Sequence, residues 1–217
     1  MRAFLKFGVL AAAIALAATG CSSSSKASPP ATTPSTGTSA VVWPAPADPM
    51  ARARAAGLVP ETAESLEFHV HAHLDVFVDG QKVTVPAGIG IDITNPGVHS
   101  YPNIAGATGY GGIAVPCDTV CISPLHTHDV SGVIHTESKA HKYNTLGELF
   151  TEWGVKLDRN CVNTYCKPQT KIAIYIDGKP YAGDPSTIPL TNFKEIAIVI
   201  GSPPASIPAV GDFSTLQ

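Results

Sequence analysis

Seven of the eight histidines in the chain fall within two short windows, residues 68–74 and 125–141. Six of them have spacings that suit metal binding, namely His69, His71, His73, His126, His128 and His135. Neutral imidazole is the most common metal ligand in proteins, and an imidazole-rich shell suits zinc, copper(II), nickel or iron. The clustering therefore predicts a bound transition metal ion, with zinc or copper as the leading candidates.

The first window has the alternating pattern of a β-strand from Glu67 to Asp79. Apolar residues occupy the even positions and polar residues the odd ones, with Phe77 as the exception. This pattern predicts a half-buried strand with the three imidazoles of the window on its polar face. Residues two apart on a strand are separated by ~6.6 Å, and residues four apart by ~13 Å. A single ion is therefore expected to take two of the three.

The second window reads as a hairpin that turns over Asp129 to Gly132. A two-residue or four-residue loop pairs His128 with Val133 and His126 with His135. His128 then lies on the same face, and three imidazoles form a triangle in which the Cβ atoms of direct partners are ~5 Å apart. Glu137 continues that face and is a candidate fourth ligand or base. A three-residue bulged loop would break this register. We expect one composite site or a close pair of sites.

Three functions fit this arrangement. A saturated four-ligand shell favours a protein that binds or buffers the metal, whereas an open three-ligand shell favours a metalloenzyme of hydrolase or lyase type. In an enzyme, Glu137, Asp129 or Asp75 is the candidate proton carrier for a metal-activated water. The third alternative is a metal-free structural envelope protein whose histidines are simply solvated.

The elements expected to position these residues give a β-rich α+β fold in a single domain. Asp79-Gly80 and Asp177-Gly178 are hairpin turns that follow apolar strands. The main helix is expected at about 144–153, with Asn144 as its cap and Gly154 as its stop, and a short helix follows Asp48-Pro49. Residues 96–112, rich in Gly and Asn, are expected to form a long loop.

The N-terminus has the pattern of an exported lipoprotein. Arg2 and Lys6 precede an apolar run of about a dozen residues, too short to span a bilayer. Ala18-Thr19-Gly20-Cys21 resembles a lipobox, which implies cleavage after residue 20, lipid on Cys21 and attachment to the outer face of the cell membrane; an ordinary secretory signal is the alternative. Residues 21–48 are expected to form a disordered stalk, 49–208 the domain and 209–217 a tail.

Charge and cysteine content narrow the function further. Without Arg2 and Lys6, 12 of the 14 basic residues remain against 17 acidic ones, a net charge of about −5, which argues against nucleic acid binding. In an oxidising compartment the four remaining cysteines are expected to pair locally, and a thiolate metal site is the rival interpretation. The expected disulfides are Cys117 with Cys121 and Cys161 with Cys166.

Four sequence strings are similar to those of a group of uncharacterised secreted prokaryotic proteins. They are HAHLDVFVDG (71–80), LHTHD with GVIHTE (125–129 and 132–137), TLGELF (145–150) and IDGKPY (176–181). The resemblance covers about residues 67–201 and implies that the two histidine windows act as a unit, but it implies no activity. The Cys161–Cys166 segment lies outside the shared pattern, which favours a local, stabilising disulfide there.

Overall fold

The computed structural model describes residues 42–102, 106–113 and 115–216. All of these residues belong to one compact unit. The predicted signal peptide, the lipidation site Cys21 and the stalk up to residue 41 lie outside the described residues.

The described chain is β-rich, with eleven strands and two α-helices, which confirms the predicted α+β class. In chain order the elements are α1 (Pro49–Ala55), β1 (Phe68–Val78), β2 (Gln81–Val83), β3 (His99–Pro102), β4 (Thr108–Gly111), β5 (Leu125–His126), β6 (Val133–Ser138), α2 (Leu146–Trp153), β7 (Cys161–Val162), β8 (Tyr165–Cys166), β9 (Ile172–Ile176), β10 (Lys179–Tyr181), a 3₁₀ turn (Pro185–Thr187) and β11 (Lys194–Ile200).

A seven-stranded sheet with β1 near its centre organises the domain. Its order is β10-β9-β11-β1-β6-β5, and β2 pairs with the end of β1. The first half of β1 pairs antiparallel with β6 and the second half pairs parallel with β11. Every residue of β1 from Ala72 to Val78 is buried, on both faces of the strand. The predicted half-buried pattern therefore applies only to the beginning of the strand, where His69 and His71 lie.

Helix α2 covers the apolar face of the sheet. Leu146, Leu149, Phe150 and Trp153 recur at helical spacing and are buried in the main core. The N-cap is Thr145, not the predicted Asn144, because Thr145 and Glu148 form a reciprocal capping box. Asn144 is buried instead, and its carbonyl accepts a hydrogen bond from the Leu190 amide. Gly154 ends the helix with φ 76°, as predicted.

Both predicted hairpin turns are confirmed. Asp79-Gly80 has φ values of 46° and 79°, and Asp177-Gly178 has values of 49° and 74°, so both central residues are left-handed, as a type I′ turn requires. The expected long loop at 96–112 is wrong in part, because it contains the antiparallel pair β3 and β4. The ring of Tyr101 packs directly over Gly109, a contact that a side chain at residue 109 would prevent.

The folded region extends beyond both expected boundaries. Trp43, expected in the stalk because that segment is mostly Ser, Thr, Ala and Pro, is buried, and its ring lies 5.6 Å from that of Trp153. The Trp153 indole N–H also donates to the Pro44 carbonyl. At the other end, Phe213 of the expected tail packs against Phe193 and His73. Aromatic packing at each terminus therefore makes these segments part of the domain.

The four remaining cysteines form the two predicted local disulfides, Cys117–Cys121 and Cys161–Cys166. The first lies in a small apolar cluster with Ile91, Ile113 and Ile122, and the second joins β7 to β8. None of the helices in the described segments has the length and hydropathy required to cross a membrane.

One carboxylate buried in the core destabilises the folded state at neutral pH. Glu152 on α2 is fully buried and neither of its oxygens has a hydrogen-bond partner, so burial raises its pKa well above the usual range. Because its pKa is raised on folding, protonated Glu152 contributes to the stability of the folded state. This contribution is fully present below the unfolded-state pKa, about 4.3, and is lost as the pH rises through the folded-state pKa. We therefore expect Glu152→Gln to stabilise the protein at pH 8 by about 1–3 kcal/mol.

Urea unfolding at pH 5 and pH 8 measures this effect. The gain in the free energy of unfolding should be larger at pH 8 than at pH 5. Glu67→Gln, which changes an exposed carboxylate, is the control and should change little. An equal change for both variants at pH 8 would contradict the interpretation.

Candidate metal centre

Five histidines and one glutamate converge on one face of three neighbouring strands. In the sheet register His71 pairs with His135, and His135 also pairs with His126 on its other side. His69 pairs with Glu137. The predicted pairing of His126 with His135 is therefore confirmed, and β6 lies between the two histidine windows. The predicted pairing of His128 with Val133 is wrong, because the ladder ends at His126 and the backbone of the next two residues bonds to Ile89 and Tyr110.

His126 and His128 point the same nitrogen at each other. Their Nε2 atoms lie 3.2 Å apart. From the far side of each ring, Nδ1 donates to a backbone carbonyl: His126 to Ser123 at 2.9 Å and His128 to Tyr110 at 2.6 Å. A carbonyl can only accept, so each Nδ1 carries a proton, and in the neutral rings both Nε2 atoms present lone pairs. Such backbone bonds are the usual way in which metal-binding histidines are oriented.

The separation of the two Nε2 atoms matches metal coordination. Two nitrogens at 2.0–2.1 Å from one tetrahedral ion are about 3.3–3.4 Å apart. Without a metal, the lone pairs of the two Nε2 atoms would repel each other at this distance, so their contact requires a proton on one of the rings. Burial lowers the pKa of the fully buried His126 to about 3. Burial also opposes charge on His128, but the nearby Glu137 carboxylate outweighs it and raises the pKa of His128. A proton between the rings therefore belongs to His128, and a metal ion would replace it.

Glu137 lies at the centre of the imidazoles. Its Oε1 is 3.1 Å from His69 Nε2 and 3.1 Å from His135 Nδ1. Its Oε2 is 3.9 Å from His126 Nε2, and this oxygen is buried without a hydrogen-bond partner. Burial acts to raise the pKa of Glu137, but the surrounding imidazoles outweigh burial and hold it below the usual range. The carboxylate is therefore ionised and has an unused acceptor atom inside the cluster.

The donors form two overlapping groups, each with ligand atoms within 4.8 Å of one another: His126, His128, His135 and Glu137, and His69, His71, His135 and Glu137. We call them the inner group and the outer group, because His126 is fully buried whereas 35% of the His69 side chain is exposed. In the outer group, burial and the neighbouring His135 lower the pKa of His71 to about 4, which favours the neutral form that binds metal.

His73, predicted with the other five, lies apart from them. Its Nδ1 is 2.6 Å from Glu195 Oε2, and its Nε2 is 3.0 Å from the Ser131 carbonyl. Burial opposes charge on the ring, but the Glu195 carboxylate raises the pKa of His73. His73, Asp75 and Glu195 are near enough to form a third group of donors. A separation of 2.6 Å, however, is the length of a charge-assisted hydrogen bond and is short for two ligands of one ion.

The other predicted residues serve the fold around the centre. Asp75 pairs with Lys82 at 2.5 Å, and Asp129 accepts a hydrogen bond from the Ser131 amide in the turn of the hairpin. His99 and His141 are exposed. Sequence reasoning missed the carbonyls of Ser123 and Tyr110 and the contact of Glu195 with His73, since backbone carbonyls and contacts between distant residues leave no local pattern in a sequence.

Comparisons with protein-family models, with characterised proteins and with solved structures found no match for the chain. The function must therefore be inferred from the site.

The hydrogen bond from His128 Nδ1 to the Tyr110 carbonyl can be tested through a pair of glycines. Gly111 packs against the His128 ring so closely that an added Cβ would overlap Nδ1, whereas the neighbouring Gly112 has no atom within 4 Å of such a Cβ. Both residues have positive φ, so alanine strains the backbone at each. We expect Gly111→Ala to displace the ring and reduce metal affinity about 10–100-fold.

Competition with a chelator measures the affinity, and thermal unfolding checks that both variants are folded. Gly112→Ala is the matched control and should bind metal like the wild-type protein. Equal losses of affinity in the two variants would mean that backbone strain, and not the position of His128, is responsible.

Proposed function

We propose that the protein is a lipid-anchored, extracytoplasmic protein that binds a transition metal ion, zinc or copper(II), mainly through histidines. The ion is held by the inner group, His126, His128, His135 and Glu137. The observation that supports this most is the 3.2 Å approach of two Nε2 atoms whose rings are both fixed from behind by backbone carbonyls.

The burial of the imidazoles argues against the alternative of a metal-free protein whose histidines are simply solvated. His126 is fully buried, and the side chains of His128 and His135 are only 14% and 12% exposed. A buried carboxylate oxygen without a hydrogen bond, such as Glu137 Oε2, costs free energy unless something compensates its charge. A divalent ion in the inner group would compensate this charge and use the lone pairs of both Nε2 atoms.

The number of donors favours binding over catalysis. Three imidazoles and one carboxylate complete a four-coordinate shell, which is typical of closed sites. Two of the three candidate proton carriers, Asp75 and Asp129, are engaged in contacts of the fold, and the third, Glu137, lies among the ligands. The inner group is therefore best suited to capture and hold an ion.

Metal content tests the proposal directly. The full chain, purified in detergent and loaded with Zn(II) or Cu(II), should retain at least about one ion per molecule after excess metal is removed. His126→Ala should weaken binding by more than about 100-fold, since it removes a ligand and not only a supporting hydrogen bond. The exposed His141→Ala is the control and should retain the metal.

Elemental analysis gives the stoichiometry, and chelator competition gives the affinity. If neither ion is retained under either loading condition, the proposed function is wrong. If His126→Ala binds like the wild-type protein, the metal lies elsewhere.

The proposed anchor has its own test. The lipobox-like sequence before Cys21 supports lipidation at that residue, and the two disulfides fit an oxidising compartment. We expect the chain expressed in a bacterial host to incorporate labelled palmitate and to sediment with membranes. Cys21→Ser should lose the label, and Ser22→Ala should keep it. Label retained by the Cys21→Ser variant would place the lipid on another residue, and a wild-type chain without label would contradict lipidation.

A further inference from the structure

The centre contains more donors than one ion can use. Five imidazoles and a carboxylate surround it, whereas a tetrahedral ion takes four ligands. His69 and His71 belong to the outer group and His126 and His128 to the inner group, and only His135 and Glu137 are members of both. After the inner group binds an ion, His69 and His71 remain as a pair whose rings lie 4.4 Å apart.

The two oxygens of Glu137 differ in their imidazole contacts. Oε1 is 3.1 Å from His69 Nε2, in the outer group, and 3.1 Å from the shared His135 Nδ1, whereas its distance to His128 Nε2, in the inner group, is 3.9 Å. Oε2 has its nearest imidazole contact at His126 Nε2, in the inner group, at 3.9 Å. This oxygen is buried and has no hydrogen bond, and the Glu137 side chain is only 4% exposed. A carboxylate in this position can bridge two ions, which in two-metal sites lie about 3.5–4 Å apart.

We propose that the centre is binuclear, with an inner ion bound by His126 and His128, an outer ion bound by His69 and His71, and the Glu137 carboxylate as the bridge between them. This inference rests on the proposed function and extends it. His135 lies between the pairs, with its ring 4.5 Å from that of His71 and 4.3 Å from that of His128, and it completes the four-ligand shell of the inner ion.

The two positions differ in accessibility and in charge. The inner ion is enclosed by fully or largely buried rings, whereas the outer ion binds to the partly exposed His69. A single carboxylate serves both ions, so the second ion enters a site that already carries positive charge. The outer ion therefore binds more weakly and exchanges faster, and it completes its shell with water or hydroxide. The outer position is the one at which an ion is acquired or released.

Titration of the full chain with Cu(II) tests the proposal, because two copper(II) ions a few ångströms apart alter each other's electron paramagnetic resonance signal. We expect binding in two steps to about two equivalents. The first equivalent should give the spectrum of an isolated ion, and the second should produce a spin-coupled spectrum with reduced signal intensity. The double variant His69→Ala/His71→Ala should bind about one equivalent with only the isolated spectrum.

The double variant His99→Ala/His141→Ala is the matched control, since it removes two exposed histidines outside the centre, and it should still bind two coupled ions. Glu137→Gln should lose the coupling, because the neutral amide is a poor bridge. Saturation of the wild-type chain at one equivalent would overturn the binuclear centre and leave the proposed function in place. Two ions without coupling would also overturn it. Failure to bind any copper or zinc would overturn both proposals.

Discussion

The candidate centre depends on the register of β6 between its two neighbours. His135 pairs with His71 on one side and with His126 on the other, and these two pairings bring histidine windows more than fifty residues apart in sequence onto one face. A slip of one residue in either ladder would turn the β6 side chains to the opposite face of the sheet. The apolar residues of the same strands prevent such a slip, because it would expose Ile134 and bury charge against α2.

The rings of His126 and His128 are oriented by hydrogen bonds to backbone carbonyls and not to further side chains. The carbonyls of Ser123 and Tyr110 hold the two closest imidazoles, and the Tyr110 amide also donates to the His128 carbonyl. Tyr110 belongs to the small sheet of β3 and β4, while the segment before Ser123 carries the Cys117–Cys121 disulfide. This disulfide cross-links the chain between those two supports. It therefore constrains the segment that runs between the two carbonyls bonded to His126 and His128.

Much of this arrangement could be predicted from local patterns. Strict alternation located β1, Asp-Gly pairs located two hairpins, and the spacing of His126 and His135 gave their pairing. The rest required contacts between distant residues. His73 shares the pattern of His69 and His71, but β11 pairs with β1 from Ala72 onward and brings Glu195 next to His73. Trp43 was assigned to the stalk because residues 21–48 are mostly Ser, Thr, Ala and Pro, and its packing on Trp153, far along the chain, leaves no pattern in the local sequence.

The packing of Trp43 on Trp153 fixes the point at which the chain that follows the proposed lipidation site enters the domain. Cys21 and Trp43 are 22 residues apart in sequence, and a fully extended chain of that length spans at most about 80 Å. If Cys21 carries the lipid, as proposed, the domain is confined to a layer of that order above the bilayer. Such a tether would raise the effective concentration of the candidate centre towards other proteins of the same membrane, so that even weak encounters between them would become frequent.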